Sequence, residues 1–114
     1  MSDNIVYINV DEGLNRVMKN KALFSKLLTK FKDDINLNEI EAAFSAGDAE
    51  KAKNSSHTLK GLAANLALTE LFKQVLELET QIKAGNLNSG QLALVKDTHG
   101  KTITEIDKVI NSYV

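Results

Sequence analysis

The sequence predicts an all-α chain: an antiparallel up-and-down four-helix bundle with one or two short helices at its N-terminal end. Three observations carry this. Proline is absent from all 114 residues, so no pyrrolidine ring interrupts a long helix. Leu, Ala, Lys, Glu and Asn are abundant, whereas the two-residue alternation of strands is scarce. Apolar residues recur instead at spacings of three and four, the signature of one helical face.

A short helix is expected from Asp11 to Met18, with Val10, Leu14 and Val17 as its stripe. Asn20 is placed to cap a helix through Phe31, in which Leu23, Phe24, Leu27, Leu28 and Phe31 form a broad apolar face. Asp33, Asp34 and Asn36 read as a connection. Leu37, Ile40, Ala43 and Phe44 then make a shorter helix closed by Gly47, the residue type favoured just past a helix end. Asp48 caps the next helix, which runs to near Ala67 and turns Ala49, Ala52, Ser56, Leu59, Ala63 and Leu66 toward the core. Thr69 is placed to cap its successor, where Leu71, Phe72, Val75, Leu78, Glu79 and Ile82 lead to Gly85. The last helix starts near Ser89 and runs through Leu92, Val95, Thr98, Ile103, Ile106, Ile110 and Tyr113. The connections are short, as between antiparallel neighbours. Residues 1–114 read as a single domain without internal repeats.

Composition narrows the function. A formal net charge of -1 argues against a nucleic-acid binder, which normally carries a strongly basic face. With no cysteine, disulfides, thiol nucleophiles and thiolate metal sites are excluded. No segment approaches the roughly 20 apolar residues that span a bilayer, and the start MSDNIVYINV lacks the pattern of a signal peptide. A cytoplasmic protein is expected. Charge is nevertheless uneven: no acid lies between Glu50 and Glu70, where Lys51, Lys53 and Lys60 fall. That window suits an acidic partner or a phosphoryl group.

His57 opens the run His57-Thr58-Leu59-Lys60-Gly61. Offsets of three, four and seven share a helix face, so Lys60, Gly61 and Ala64 lie beside the imidazole, with Lys53 and Asn54 one turn before it. His57 borders the apolar stripe, which predicts a histidine held by packing and open to solvent on one side. Gly61 inside a helix costs about 1 kcal/mol relative to alanine, a cost that points to close approach by something. His99, among Asp97, Thr98, Gly100 and Lys101, forms no nucleophile or metal constellation and reads as structural. Glu77 and Glu79 are two apart on a helix and face different directions, so no carboxylate pair is expected. No Gly-rich phosphate loop is present, which argues against ATP binding.

The segment His57-Thr58-Leu59-Lys60-Gly61-Leu62-Ala63-Ala64-Asn65-Leu66 resembles the signature of the histidine-containing phosphotransfer (HPt) domain. The resemblance extends upstream to residues 13–16, 23–31 and 46–48, and downstream to residues 76–79 and 83–85. It implies a four-helix bundle that relays a phosphoryl group between receiver-domain aspartates. By the resemblance His57 is the phosphorylated residue, Lys60 lies near the phosphoryl oxygens, and Gly61 leaves room for the receiver, with Lys53, Asn54 and Ala64 in the docking face. It further implies no kinase site and no cofactor on this chain. Mg2+ is expected in the partner receiver, and a hybrid histidine kinase is a further candidate partner. A monomer is expected.

The chemistry agrees, since attack on an acyl phosphate needs a neutral ring nitrogen and imidazoles ordinarily titrate near about 6.5. A cation one turn away offsets charge on the transferring group. Ten residues after the histidine the family often has glycine, and here stands Ala67. In a left-handed backbone that alanine costs roughly 1 kcal/mol. Leu62 adds an apolar group where a small residue is common. Two other classes stand beside the relay: a helical adaptor that binds receivers or kinases without chemistry, and a histidine-dependent hydrolase. Against the hydrolase, the sequence offers no partnered carboxylate, cysteine or metal cluster near His57.

Overall fold

The computed structural model describes residues 5–113. It is a helical bundle of α1 (Val10–Arg16), α2 (Lys21–Lys32), α3 (Asn36–Ala46), α4 (Ala49–Asn65), α5 (Thr69–Lys83) and α6 (Ser89–Ser112). No strand occurs among the described residues. The helix α4 packs between α3 and α5, α5 packs on α6, and α6 also meets α2 and α3. The core sits between them, built around the fully buried Phe24, Leu28, Ile40, Leu59, Leu68, Leu71, Leu78 and Ile106. Two ion pairs brace the long α6 from outside, Lys32 to Asp107 at 2.6 Å and Lys96 to Glu41 at 2.9 Å. No helix among the described residues is long and apolar enough to cross a membrane.

Most helix starts follow local chemistry. The side-chain oxygens of Asn20, Asp48 and Asn88 accept backbone N–H groups of Leu23, Lys51 and Gln91, satisfying donors that have no partner inside the helix. Other boundaries depart from the sequence expectation. The first helix begins at Val10, since Asn9 caps it by accepting from the Glu12 N–H at 3.2 Å. It ends at Arg16 and does not reach Met18, because Met18 and Lys19 turn left-handed at φ 57 and 62. Asn36 belongs to α3 and not to the connection, because the Asp34 carboxylate takes its N–H at 2.9 Å. Thr69 is already helical, and its hydroxyl donates to the Val6 carbonyl instead of capping α5. Tyr113 is the C-cap of α6 and not part of it.

Two residues assigned to apolar faces are exposed. Ala49 sits in the first turn of α4, before the packed stretch that begins at Ala52. Leu23 lies about 100° around the helix from Phe24, on the flank of the buried face. The glycine at position 13 is required by close approach: a Cβ there would lie 2.5 Å from Cζ of Phe24, so α1 rests directly on that ring. Gly47 closes α3 at φ 68, a conformation that costs glycine little.

The end of α4 settles the question raised by Ala67. Its φ is 57, so the backbone is left-handed although the residue is alanine. The Leu68 N–H reaches the Ala63 carbonyl at 2.8 Å and the Ala67 N–H reaches Ala64 at 3.2 Å, the paired bonds of a Schellman turn. Ala67 is itself buried, and its carbonyl accepts the Asn9 N–H at 2.9 Å. Methyl burial and these bonds offset the backbone strain, and α4 ends at Asn65, two residues before Ala67.

Met18 has the same left-handed backbone and the same paired bonds, its N–H to the Asn15 carbonyl at 3.2 Å and the Lys19 N–H to the Leu14 carbonyl at 2.6 Å, but its side chain is 91 % exposed and adds no burial to offset the strain. Met18→Gly is therefore expected to raise stability by about 1 kcal/mol. Urea unfolding measures this, and a loss of stability would show that the methionine side chain contributes more than its exposure indicates.

Candidate functional site

The N-cap at Asp48 and the buried positions Ala52, Ser56, Leu59 and Ala63 set the rotation of α4. That rotation sends His57 outward, with its side chain 70 % exposed. Across from it, α5 carries Glu79 between Leu78 and Ile82 on the buried face. The Glu79 side chain is only 2 % exposed, yet it is ringed by cations. Its Oε2 lies 3.1 Å from Nδ1 of His57 and 3.4 Å from Nζ of Lys83, and its Oε1 lies 2.6 Å from Nζ of Lys60.

These contacts decide the charge of Glu79. Burial alone would raise its pKa, but the close contacts of Lys60 and His57 and the charges of Lys60 and Lys83 outweigh burial and hold the carboxyl below its ordinary range. A carboxylate facing Nδ1 favours the tautomer that carries its proton there. Nε2 then keeps its lone pair for attack. Beside the ring is an open recess of about 410 Å³ lined by Lys53, Asn54, His57, Thr58, Glu79 and Lys83.

The structure brings together some of the residues singled out in the sequence and separates others. Lys53 and Asn54 line the recess with His57, whereas Ala64 lies in a different groove with Glu12, Arg16 and Phe72. Gly61 is exposed, and a Cβ built there meets nothing within 4 Å. The lysine-rich window is less positive than the sequence implied. Lys51 pairs with Glu39 at 2.9 Å, Lys53 with Glu50 at 3.5 Å, and Lys60 with Glu79, the first and last partners coming from other helices.

Glu79 is the residue the sequence reading missed. Glu77 and Glu79 do not pair with each other, as expected: Glu77 instead accepts from the Gln81 amide at 2.7 Å. The only signal for Glu79 was an acid on an otherwise apolar stripe. Its presence also corrects the expectation that His57 has no carboxylate partner. A hydrolase gains little from this, since the neighbouring Thr58 hydroxyl donates to the Asn54 carbonyl at 3.2 Å and not to the imidazole. No cluster of three metal-ligating side chains occurs among the described residues.

A solvent-facing histidine on a helical bundle, backed by a buried carboxylate and flanked by lysines, is an arrangement suited to group transfer through a ring nitrogen. The family comparison agrees: the Hpt domain model matches residues 26–109 of the 114. The chain belongs to the Hpt domain family, whose members are phosphotransfer intermediates of two-component signalling. Comparison with curated proteins and with solved structures finds no match. The matched segment starts within α2 and includes His57, Lys60, Glu79 and Lys83, while α1 lies outside it.

His99 has a different setting. It is half-buried on α6, its ring 5.8 Å from that of Phe31 and tilted by 42°. Burial pushes its pKa below 6.5, against the opposing pull of Asp34 and Glu41. As pH falls through 6.5 the unfolded chain takes up a proton before the folded chain does. The stabilising contribution is thus present above 6.5 and lost as pH falls toward the folded value. His99→Gln is expected to flatten the fall in stability as pH drops below 6.5, read from urea midpoints. An unchanged slope would place that acid sensitivity elsewhere.

Proposed function

We propose that this chain relays a phosphoryl group between receiver domains, taking it on Nε2 of His57 from one aspartyl phosphate and passing it to the aspartate of another. The observation that carries this reading is the exposed imidazole whose Nδ1 faces the buried Glu79 carboxylate at 3.1 Å. The Nε2 lone pair forms the N–P bond while the P–O bond to the aspartyl carboxyl breaks, and the carboxylate leaves with the electron pair. The Nδ1 proton stays in place, held toward Glu79, so the phosphorylated ring is an imidazolium. That form has a good leaving group, which favours onward transfer. The chain supplies the nucleophile and its orientation, and no cofactor of its own. The receiver, with its Mg2+, supplies the electrostatic catalysis. A cytoplasmic setting, where receivers and hybrid kinases present their aspartates, suits this role.

Replacing His57 by Gln is expected to abolish phosphoryl uptake from a charged receiver while leaving the helical circular dichroism unchanged. The adduct on the wild-type chain should be lost in mild acid and survive base, as a phosphoramidate does. Intact-mass measurement after incubation checks both, and uptake by the Gln variant would remove His57 from the role.

Gly61 separates partner access from folding. With open space at its Cβ position, Gly61→Ala is expected to stabilise the isolated chain by up to about 1 kcal/mol. Gly61→Gln should also fold, yet project a side chain one turn beyond His57 into the approaching receiver. Transfer from the receiver should then fall much more than phosphorylation by phosphoramidate. An equal fall in both reactions would mean that Gly61 does not serve docking.

A further inference from the structure

Resting on His57 as the acceptor, we propose that the phosphoryl oxygens are seated between Lys53 and Lys83, and that Lys60 is a positioning residue acting through Glu79. The signature lysine one turn beyond the histidine is the obvious counter-ion for the phosphoryl group. Its geometry assigns it elsewhere. Lys60 Nζ is 2.6 Å from Glu79 Oε1, its side chain is 21 % exposed, and it does not line the recess beside the imidazole. Withdrawing it toward a phosphoryl group would strip the closest counter-charge from a buried carboxylate, a costly exchange.

Lys83 stands on the other side of the same carboxylate under looser terms. It is 57 % exposed and 3.4 Å from Oε2, an oxygen that the His57 Nδ1 approaches more closely at 3.1 Å. Its departure leaves Glu79 with Lys60 on one oxygen and the Nδ1 proton on the other. Lys53 is held only by an exposed i,i+3 contact with Glu50 at 3.5 Å, of the kind that contributes little. Lys53, Lys83 and Asn54 line the recess together with His57, Thr58 and Glu79. A phosphoryl group adds up to about two negative charges. Two loosely held cations face the space where it would arise, while the tightly held third keeps Glu79 neutralised. Phosphorylation then transfers Lys83 from Glu79 to the phosphoryl oxygens, so the site changes its ion pairs without moving its helices.

The test uses the full chain and phosphoramidate as donor, with the initial rate of adduct formation and the pH midpoint of the 31P resonance of the phosphorylated chain as readouts. In the double variant Lys53→Ala, Lys83→Ala the rate should fall about five- to tenfold, the loss set by two exposed charge contacts. The 31P midpoint should move to higher pH, because nearby cations favour the dianion. Arginine at both positions should restore both readouts. Lys53→Ala alone is the cleanest variant, since Lys53 has no ion pair with Glu79, and it should give part of each effect. Lys60→Ala should move the 31P midpoint less than the double variant does, because Glu79 then holds Lys83 more tightly while Lys53 stays free. The proposal is overturned if the double variant reacts within about twofold of wild type with an unmoved midpoint, or if Lys60→Ala moves the midpoint more than the double variant does. Absence of any adduct on wild-type His57 would overturn the relay reading itself, and the seat with it.

Discussion

One buried carboxylate organises the chemistry of this bundle. Glu79 is taken out of water on α5, and an unpaired charge there would cost several kcal/mol. Lys60 and His57, both on α4, therefore turn toward it, and Lys83 closes from the next turn of α5. The orientation of the imidazole follows from that need. With Nδ1 committed to the interior, Nε2 is the nitrogen left for the solvent side. Stability and the proposed reactivity thus draw on the same contact.

What was legible in the sequence is what local chemistry dictates. Asn20 and Asp48 cap helices through their own side chains, and Gly47 ends one by its own backbone freedom, so each could be read from a few neighbouring residues. Asn36 escaped because its N–H is taken by Asp34, a residue that itself lies outside the helix. Thr69 escaped because its hydroxyl serves Val6, a partner distant in the chain. The exposed setting of His57 was legible from the periodicity of α4. Its counter-charge was not, because Glu79 is 22 residues away and meets the ring only when α4 and α5 pack. The same holds for the lysines, whose window appears uncompensated until Glu39 and Glu79 arrive from α3 and α5.

The N-terminal segment has a mechanical part in this arrangement. The Asn9 N–H and the Thr69 hydroxyl join residues 6–9 to the turn between α4 and α5, at the carbonyls of Ala67 and Val6 respectively. That turn fixes how α4 and α5 meet, and so bears on the distance between His57 and Glu79. A left-handed alanine survives there because it is buried and its turn is tied by the N–H groups of Asn9, Ala67 and Leu68.

Every side chain assigned to the chemistry, from Lys53 to Lys83, belongs to a single helical hairpin. The hairpin can keep its reacting atoms in register while α1, α2, α3 and α6 diverge, provided that their core faces remain apolar. The proposed chemistry and the proposed docking position at Gly61 therefore share one hairpin, and the outer helices supply its support. The outer helices are thus free to change wherever their core faces stay apolar, whereas any change to the α4 surface around Gly61 is made within one turn of the imidazole.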